Sequence, residues 1–384
     1  MEPLQPFIQT EQQQQMLDQL HTIGPAIRQA GEAADREGRL AEESIEALLD
    51  IRYNQLTLPK SYGGLGFGIY DLVLCQETLA RYDGATALSI GWHVSIVGDA
   101  YEKQLWQEAQ HEFLAKKIVH ERALTNRAVT EKATGSPTRG GRPEGHATRQ
   151  GDGFLLNGRK TFTSLSTALT HPIVALWMED EQAIGYFLVD TTAKGVRIDE
   201  TWDVMAMRGT ASHDLVLEDV YVEKDALLET MNGPRGAIRQ NGWIIHVPAV
   251  YLGIAQAACD YATNFAKTYQ PNSLDVTISE LPHIQQKIGE MNIKLMTARH
   301  FLYSTIRQFE TRPETVTNEL GVAKLVVTNT ALEVVDLAMR IVGAQSLQQT
   351  NPLSRYYRDI RAGLHNPPMD DMTVMKVAKV AIGE

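Results

Sequence analysis

The feature that most constrains the fold of this chain is its hydrophobic period, which changes twice along 384 residues. Over Thr10–Ala123, apolar residues recur about every 3.6 residues, which is typical of amphipathic helices. Over Leu124–Glu223, they form short runs separated by Gly, Asp and Asn, which is typical of strands and turns. Over Trp243–Glu384 the long helical patterns return. This order predicts an α+β fold with a central β domain, built as a sandwich or a barrel.

The composition supports several domains and excludes some functions. Hydrophobic residues make up 43% of the chain, enough for the cores of two or three domains, which we place at 1–123, 124–228 and 229–384. A net charge of -11 argues against nucleic-acid binding, which needs clustered Lys and Arg. The two cysteines, Cys75 and Cys259, are far apart, so neither a disulfide framework nor a metal site is predicted. With no signal peptide and no apolar run of membrane-spanning length, we expect a cytoplasmic protein without a membrane span.

Four segments carry most of the functional signal. Gly is combined with Thr or Ser in both VTEKATGSPTRGG (Val129–Gly141) and NGRKTFTS (Asn157–Ser164). Glycine lets backbone amides approach a ligand, and hydroxyl groups can hydrogen-bond its polar atoms. An Arg-Gly turn joins two strand-like runs in WDVMAMRGTASHDLVLEDVYV (Trp202–Val222). The fourth segment, Met339–Asp371, contains Arg358-Asp359 and ends in LHNPPMDD.

In this order the four segments resemble motifs of the acyl-CoA dehydrogenase family, and the resemblance covers nearly the whole chain. It implies an N-terminal α-helical domain, a central β domain and a C-terminal four-helix bundle. It also implies a flavin oxidoreductase of fatty acid metabolism that binds FAD, with FMN as the alternative. The substrate would be an acyl-CoA or another small molecule. The implied partners are an electron acceptor or a flavin reductase, and the implied assembly is a homodimer or homotetramer.

The resemblance assigns positions to the flavin. In the family, the loop that matches Val129–Gly141 holds the pyrimidine edge of the flavin and approaches the thioester. The matching residues here are Val129, Thr130, Gly135 and Ser136.

The strand that matches Asn157–Ser164 continues this assignment. Phe162 takes the position of an aromatic residue that shields the flavin from water, and Thr163 follows it. Ser164 takes that of a hydroxyl residue that bonds near the flavin N5 atom. Gly343 matches a glycine where a neighbouring subunit contacts FAD.

The sequence departs from the family at the positions that perform the chemistry. Counted from Arg358-Asp359, the usual catalytic Glu falls at Pro367, which has no proton-accepting side chain. The alternative base position of some members falls at Trp243, and an Arg near the CoA falls at Ile244. The RxQFG motif that reaches the FAD diphosphate is replaced by TYQPNSLDVTISE. The fold is therefore predicted more firmly than the reaction.

Several residues could supply the missing base. His365 lies two residues before Pro367, and His93 lies in a helical segment that the family places near the flavin. The sequence LHNP is similar to the flavin monooxygenase branch that includes dibenzothiophene monooxygenase, where histidines supply protons near neutral pH. Asp370 and Asp371 are alternatives, although acidic residues here would also suit the start of a helix. His246, three residues after Trp243, is a further candidate.

Three hypotheses follow. In the first, the protein dehydrogenates an acyl thioester, with His365 or, failing that, Asp370 or Asp371 as base. In the second, it is a monooxygenase that uses reduced flavin and a non-CoA substrate, with His93 and His365 at the site. In the third, it binds flavin or acyl-CoA without catalysis.

Overall fold

The computed structural model describes residues 3–134, 141–232 and 241–383, and it divides them into helices, a sheet and further helices. The helices are α1 (Glu11–Glu37), α2 (Glu42–Asp50), α3 (Ile69–Ala80), α4 (Gly84–Glu102), α5 (Glu108–Glu121), α6 (His246–Thr268), α7 (Pro282–Thr311), α8 (Glu319–Val342), α9 (Pro352–Asp359) and α10 (Asp370–Ala381). The strands are β1 (Arg127–Ala128), β2 (His146–Gln150), β3 (Gly153–Lys160), β4 (Ile173–Met178), β5 (Ala183–Leu188), β6 (Val196–Asp199), β7 (Asp214–Glu223) and β8 (Leu227–Asn232).

The predicted order of helices, strands and helices is confirmed. β8 runs to Asn232, so the sheet extends beyond residue 228, where we had placed the end of the β domain. The last helix begins at Asp370 as predicted, with Asp370 and Asp371 in its first turn, where acidic groups face the positive end of the helix dipole.

The N-terminal and C-terminal helices share one hydrophobic core, although the sheet separates them in sequence. Helix α6 lies at its centre and packs against α3, α4, α7 and α8. Residues from both ends of the chain, such as Leu72 of α3, Leu252 of α6 and Val334 of α8, are fully buried in it. Helix α6 with the preceding turn (Gly242–Thr268) is long and apolar enough to cross a membrane, so the expectation that no apolar run reaches this length is wrong. Its most apolar stretch is 94% buried within the protein, as expected of a core helix.

The strands form one sheet in the order β6-β7-β3-β2-β4-β5-β8, and β1 pairs with β4. Successive side chains of a strand point to opposite faces, and in β4 both faces are buried. Ile173, Ala175 and Trp177 pack in the cluster that includes residues of α4 and α5. Val174 and Leu176 pack in the second cluster, formed by the sheet itself. The sheet is thereby held against the N-terminal helices.

Two polar contacts attach α9 to the N-terminal helices and to the β domain. Arg355 pairs with Asp83, the residue that caps α4, at 2.9 Å. Asp359 accepts a hydrogen bond from the backbone N–H of Met207, in the segment between β6 and β7, at 2.6 Å. Burial raises the pKa of Asp359 to about 7. The C-terminal segment and the Arg-Gly turn of the sheet are therefore fixed to one another.

Candidate active site

The segment that follows β3 presents an aromatic side chain to the outside of the fold. Phe162 has φ of 55°, a conformation that bulky residues rarely adopt, and its side chain is 65% exposed. Its ring meets Trp202 edge to face, with 5.6 Å between the ring centroids. Backbone hydrogen bonds from Thr161 to Thr130 and from Thr163 to His213 hold the segment on both sides. A strained and exposed aromatic residue on a fixed segment is typical of a ligand-binding surface.

Buried hydroxyl groups lie next to this aromatic residue. The hydroxyl of Ser164 is hydrogen-bonded to that of Ser212 at 2.8 Å, and Ser212 in turn to Thr210 at 2.8 Å. Thr163 is also buried, and its Oγ1 has no hydrogen-bond partner within the described parts of the chain. A buried hydroxyl without a partner is costly, so Thr163 suits a polar ligand atom supplied from outside the protein.

The loop that begins at Val129 is attached to β3 by a buried ion pair. Lys160 and Glu131 are in direct contact and almost fully buried. The Glu131 carboxylate also accepts hydrogen bonds from the backbone N–H groups of Glu144, at 2.6 Å, and Gly145, at 3.1 Å. Both ends of the loop are therefore fixed.

The other predicted positions of this loop have different outcomes. Val129 is half-buried against the cluster between the sheet and α5, and Thr130 accepts the bond from Thr161 through its backbone. Gly135 and Ser136 lie outside the described residues, so their assignment to the flavin stays a prediction.

His93 is fully buried in α4, and both of its ring nitrogens are hydrogen-bonded. Nδ1 accepts from the backbone N–H of Thr125 at 3.0 Å, so the proton is on Nε2, which donates to the Asn54 carbonyl at 2.8 Å. Burial lowers the pKa of His93 to about 4. The hypothesis that His93 acts on a substrate therefore finds no free ring nitrogen in this arrangement. The residue instead fixes α4 to the segment that leads into β1.

The C-terminal candidates differ in what they contact. His365 is exposed, at the end of a short turn (Ile360–Leu364), and the next residue, Asn366, accepts a hydrogen bond from the Tyr251 hydroxyl of α6 at 2.5 Å. Asp370 is held by the buried Lys324 at 3.1 Å and by Asn329. Asp371 is exposed on the first turn of α10. His365 is thus exposed to a ligand, while Asp370 already binds α8.

The alternative base position is filled by a buried indole. Trp243 donates from Nε1 to Glu102, the last residue of α4, at 2.7 Å. Its ring lies over Gly98, where an added Cβ atom would come within 2.4 Å of the ring. Two further glycines of α4 precede Gly98 at intervals of seven residues and make similar contacts with side chains of α6. Gly84 lies against Ile254, and Gly91 lies against His246. The sequence analysis missed this row of glycines, although its seven-residue spacing is visible in the sequence.

Gly343 lines a surface cavity of about 490 Å³. Its φ of 70° is a conformation that glycine adopts readily. Arg340, Leu347 and Tyr357 also line the cavity, and Arg340 is paired with Asp336 at 2.6 Å. The cavity is open to solvent, as a contact site for a cofactor or a second subunit must be.

The residues present fit a flavin better at its ring than at its diphosphate. Phe162, Trp202 and the unpartnered Thr163 hydroxyl suit a planar ring with polar edges. The segment between α6 and α7, where the family's diphosphate motif falls, contains neither Lys nor Arg from Tyr269 to Leu281. A diphosphate would need its positive charge from elsewhere.

Comparisons with known proteins identify the family to which the fold belongs. The family models "Acyl-CoA dehydrogenase, N-terminal domain", "middle domain" and "C-terminal domain" match residues 10–122, 126–220 and 245–366. YdbM of Bacillus subtilis (strain 168), whose name places it among acyl-CoA dehydrogenases, is 52% identical over 98% of both chains. The L-evernosamine nitrososynthase of a Micromonospora species is 27% identical over 91% of this chain and 85% of its own.

A solved structure shows the same fold. Butyryl-CoA dehydrogenase from Megasphaera elsdenii superposes with a TM-score of 0.87 at 24% identity, covering 98% of this chain and 99% of its own. Another solved structure with this fold, that of TdsC from Paenibacillus sp. A11-2, contains FMN and superposes with a TM-score of 0.85 at 21% identity, covering 95% of this chain and 96% of its own. The chain therefore belongs to the acyl-CoA dehydrogenase family.

Proposed function

We propose that this protein dehydrogenates an acyl-CoA thioester at the α,β position, using FAD. The observation that carries the proposal is the exposed Phe162 ring, held at a positive φ against Trp202 and next to the unpartnered hydroxyl of Thr163. Family membership and the 52% identity to YdbM support the substrate class. When bound, FAD supplies the hydride acceptor for this reaction.

The β-domain residues would bind and orient the flavin. Phe162 and Trp202 would cover one part of the ring and exclude water, because together they present apolar surface that nothing else in the described chain covers. The Thr163 hydroxyl would hydrogen-bond a polar edge atom. Ser164, fixed by the hydroxyl chain through Ser212, would hold its place near the reacting nitrogen.

His365 is the proposed base. Its side chain is exposed, and its position is fixed because Asn366 is bonded to Tyr251 of α6. A neutral imidazole nitrogen can take the proton from the carbon next to the thioester carbonyl near neutral pH. Asp371, which is exposed on the first turn of α10, is the alternative base.

A second candidate function is an oxygen-dependent oxidation of a non-CoA substrate with reduced flavin. It is favoured by Pro367, which leaves the usual base position without a carboxylate, and by the 27% identity to a nitrososynthase. A flavin reductase would then be the partner, in place of an electron-accepting protein. In either case we propose a cytoplasmic homodimer or homotetramer, supported by the open Gly343 cavity and by the exposed apolar side chains of Val374, Met375 and Val380 on α10.

The test is an anaerobic titration of the purified flavoprotein with a panel of acyl-CoAs. Loss of the flavin absorbance band is expected with at least one of them. His365→Gln should slow this bleaching about 100-fold or more, as removal of a general base does. His283→Gln, at an exposed histidine of α7, is the matched control and should bleach at the wild-type rate. No bleaching by any acyl-CoA, with oxygen consumption in the presence of a flavin reductase, would support the second function instead.

A further inference from the structure

Three helices bring two polar side chains together deep in the helical core. At Gly91 of α4, the position of an added Cβ atom is 2.5 Å from Nδ1 of His246 on α6 and 3.2 Å from Oε1 of Gln76 on α3. Both side chains are 0% exposed. The absence of a side chain at Gly91 is what leaves room for the imidazole ring. We call His246 and Gln76 the core polar pair.

The core polar pair has no hydrogen-bond partner within residues 3–134, 141–232 and 241–383. Neither ring nitrogen of His246, and neither polar atom of the Gln76 amide, is hydrogen-bonded to anything in the described residues. Buried polar groups are almost always hydrogen-bonded, because otherwise they lose their hydration without compensation. Apolar residues at both positions would fill the same space without this loss. Four unpartnered polar atoms on two neighbouring buried side chains, of which His246 Nδ1 and Gln76 Oε1 both face Gly91, therefore indicate a missing hydrogen-bonding group.

The missing group must be neutral and must both donate and accept. Burial lowers the pKa of His246 to about 3, so the imidazole is uncharged at neutral pH, with one donor and one acceptor nitrogen. The Gln76 amide likewise offers a donor and an acceptor. A carboxylate or ammonium group would enter without a countercharge from the pair, which is strongly unfavourable in a buried site. A hydroxyl group can donate to one of the two side chains and accept from the other.

The pair is connected through α4 to the segment of the proposed flavin site. His246 meets Trp92 edge to face at 4.8 Å between ring centroids, and Trp92 is only half-buried, so it separates the pair from the outside. The next residue, His93, is bonded to the backbone of Thr125, and the side chain of Asn126 donates to the carbonyl of Ser164 at 3.0 Å. Two hydrogen bonds, one at His93 and one at Ser164, thus link the part of α4 next to the pair with the segment that carries Phe162.

We propose that His246 and Gln76 form a buried subsite for a hydroxyl group, filled by an ordered water molecule in the free protein and by a hydroxyl on the far end of the acyl chain in the complex. The second part rests on the proposed dehydrogenase function. It makes hydroxylated acyl groups the preferred substrates, in place of plain alkyl chains.

The first test needs no substrate. A crystal structure of the free holoprotein at high resolution should show density for a water molecule within about 2.7–3.2 Å of both side chains of the core polar pair. If both side chains instead turn to bond protein groups, with no density between them, the subsite does not exist. This result decides the matter even if no acyl-CoA binds, an outcome that would refute only the proposed function.

The second test distinguishes water from substrate. Dissociation constants are measured for plain acyl-CoAs and their ω-hydroxy counterparts over a series of chain lengths. At one length the hydroxylated member should bind about ten- to hundredfold more tightly, which corresponds to about 1.4–2.8 kcal/mol. His246→Phe and Gln76→Leu should abolish this preference, while His111→Phe, at a buried histidine of another cluster, should retain it. A water in the crystal with no hydroxyl preference at any length would show that the subsite holds solvent only and would overturn the substrate assignment.

Discussion

Removing the Lys160 ammonium group should destabilise the protein and release the flavin. Lys160 and Glu131 have side-chain exposures of 1% and 3%, so Lys160→Met leaves a carboxylate buried without its countercharge. Breaking such a pair typically costs about 3–5 kcal/mol. Glu131 keeps its two backbone donors, at Glu144 and Gly145, so we expect the lower end of this range, about 3 kcal/mol. The loop that begins at Val129 should loosen, and flavin retention should fall with it.

The assay is urea unfolding followed by circular dichroism, with bound flavin measured by absorbance after gel filtration. Arg149→Met is the control, because it breaks an exposed pair with Glu181 (58% and 26% exposed) and should cost no more than about 1 kcal/mol. Adding Glu131→Gln to Lys160→Met removes the buried charge and should recover most of the loss. The reasoning is refuted if Lys160→Met costs no more than Arg149→Met, or if the double variant is no more stable than the single one.

Three further predictions concern the remaining site residues. Phe162→Ala should change the free energy of unfolding by less than about 1 kcal/mol, because the ring is exposed. It should nevertheless raise the flavin dissociation constant, measured by fluorescence titration, about tenfold. An unchanged dissociation constant would contradict the assignment of Phe162 to the flavin. His93 has a lower pKa in the folded than in the unfolded state, so the unfolded state binds more protons below about pH 6.5 and stability falls as the pH falls. His93→Gln should therefore remove about 2 kcal/mol of the stability loss measured by urea unfolding between about pH 7.5 and 5, and an unaltered pH slope would count against it. In the same assay, Gly98→Ala should be less stable than the control Gly289→Ala by about 1–3 kcal/mol. The new Cβ atom meets the Trp243 ring at Gly98, whereas at Gly289 it meets nothing within 4 Å. Equal stabilities would show that the Trp243 ring moves freely.

The fold could be predicted from the sequence because hydrophobic period and motif order are local signals. The change of period located the sheet to within a few residues, and the start of α10 at Asp370 followed from two adjacent carboxylates. The shared core of α3, α4 and α6 could not be predicted in this way. The core depends on which helix faces pack together. The hydrophobic period shows that a helix has an apolar face, but it does not show which other helix covers that face.

The candidate site was less predictable for the same reason. The family resemblance placed His93 near the flavin, but the two backbone groups that bind its ring nitrogens belong to Asn54 and Thr125, which are distant in the chain. Phe162 was found by resemblance, whereas its exposure and positive φ are visible only in three dimensions. His246 was one of several candidates in the sequence. Only its contact with Gly91 and the unpartnered Gln76 gives it a specific role.

The single helical core has a consequence for synthesis of the protein. Helices α3 and α4 bury their apolar faces against α6, which ends at Thr268, 188 residues after the end of α3 and 166 after the end of α4, and these residues must be translated before the faces are covered. At about 5–20 residues per second, this delay is on the order of ten to forty seconds. During this time the nascent N-terminal region exposes apolar surface that chaperones can bind. A fragment that stops after the sheet should remain in that state and aggregate, because the partner of its helices is never made.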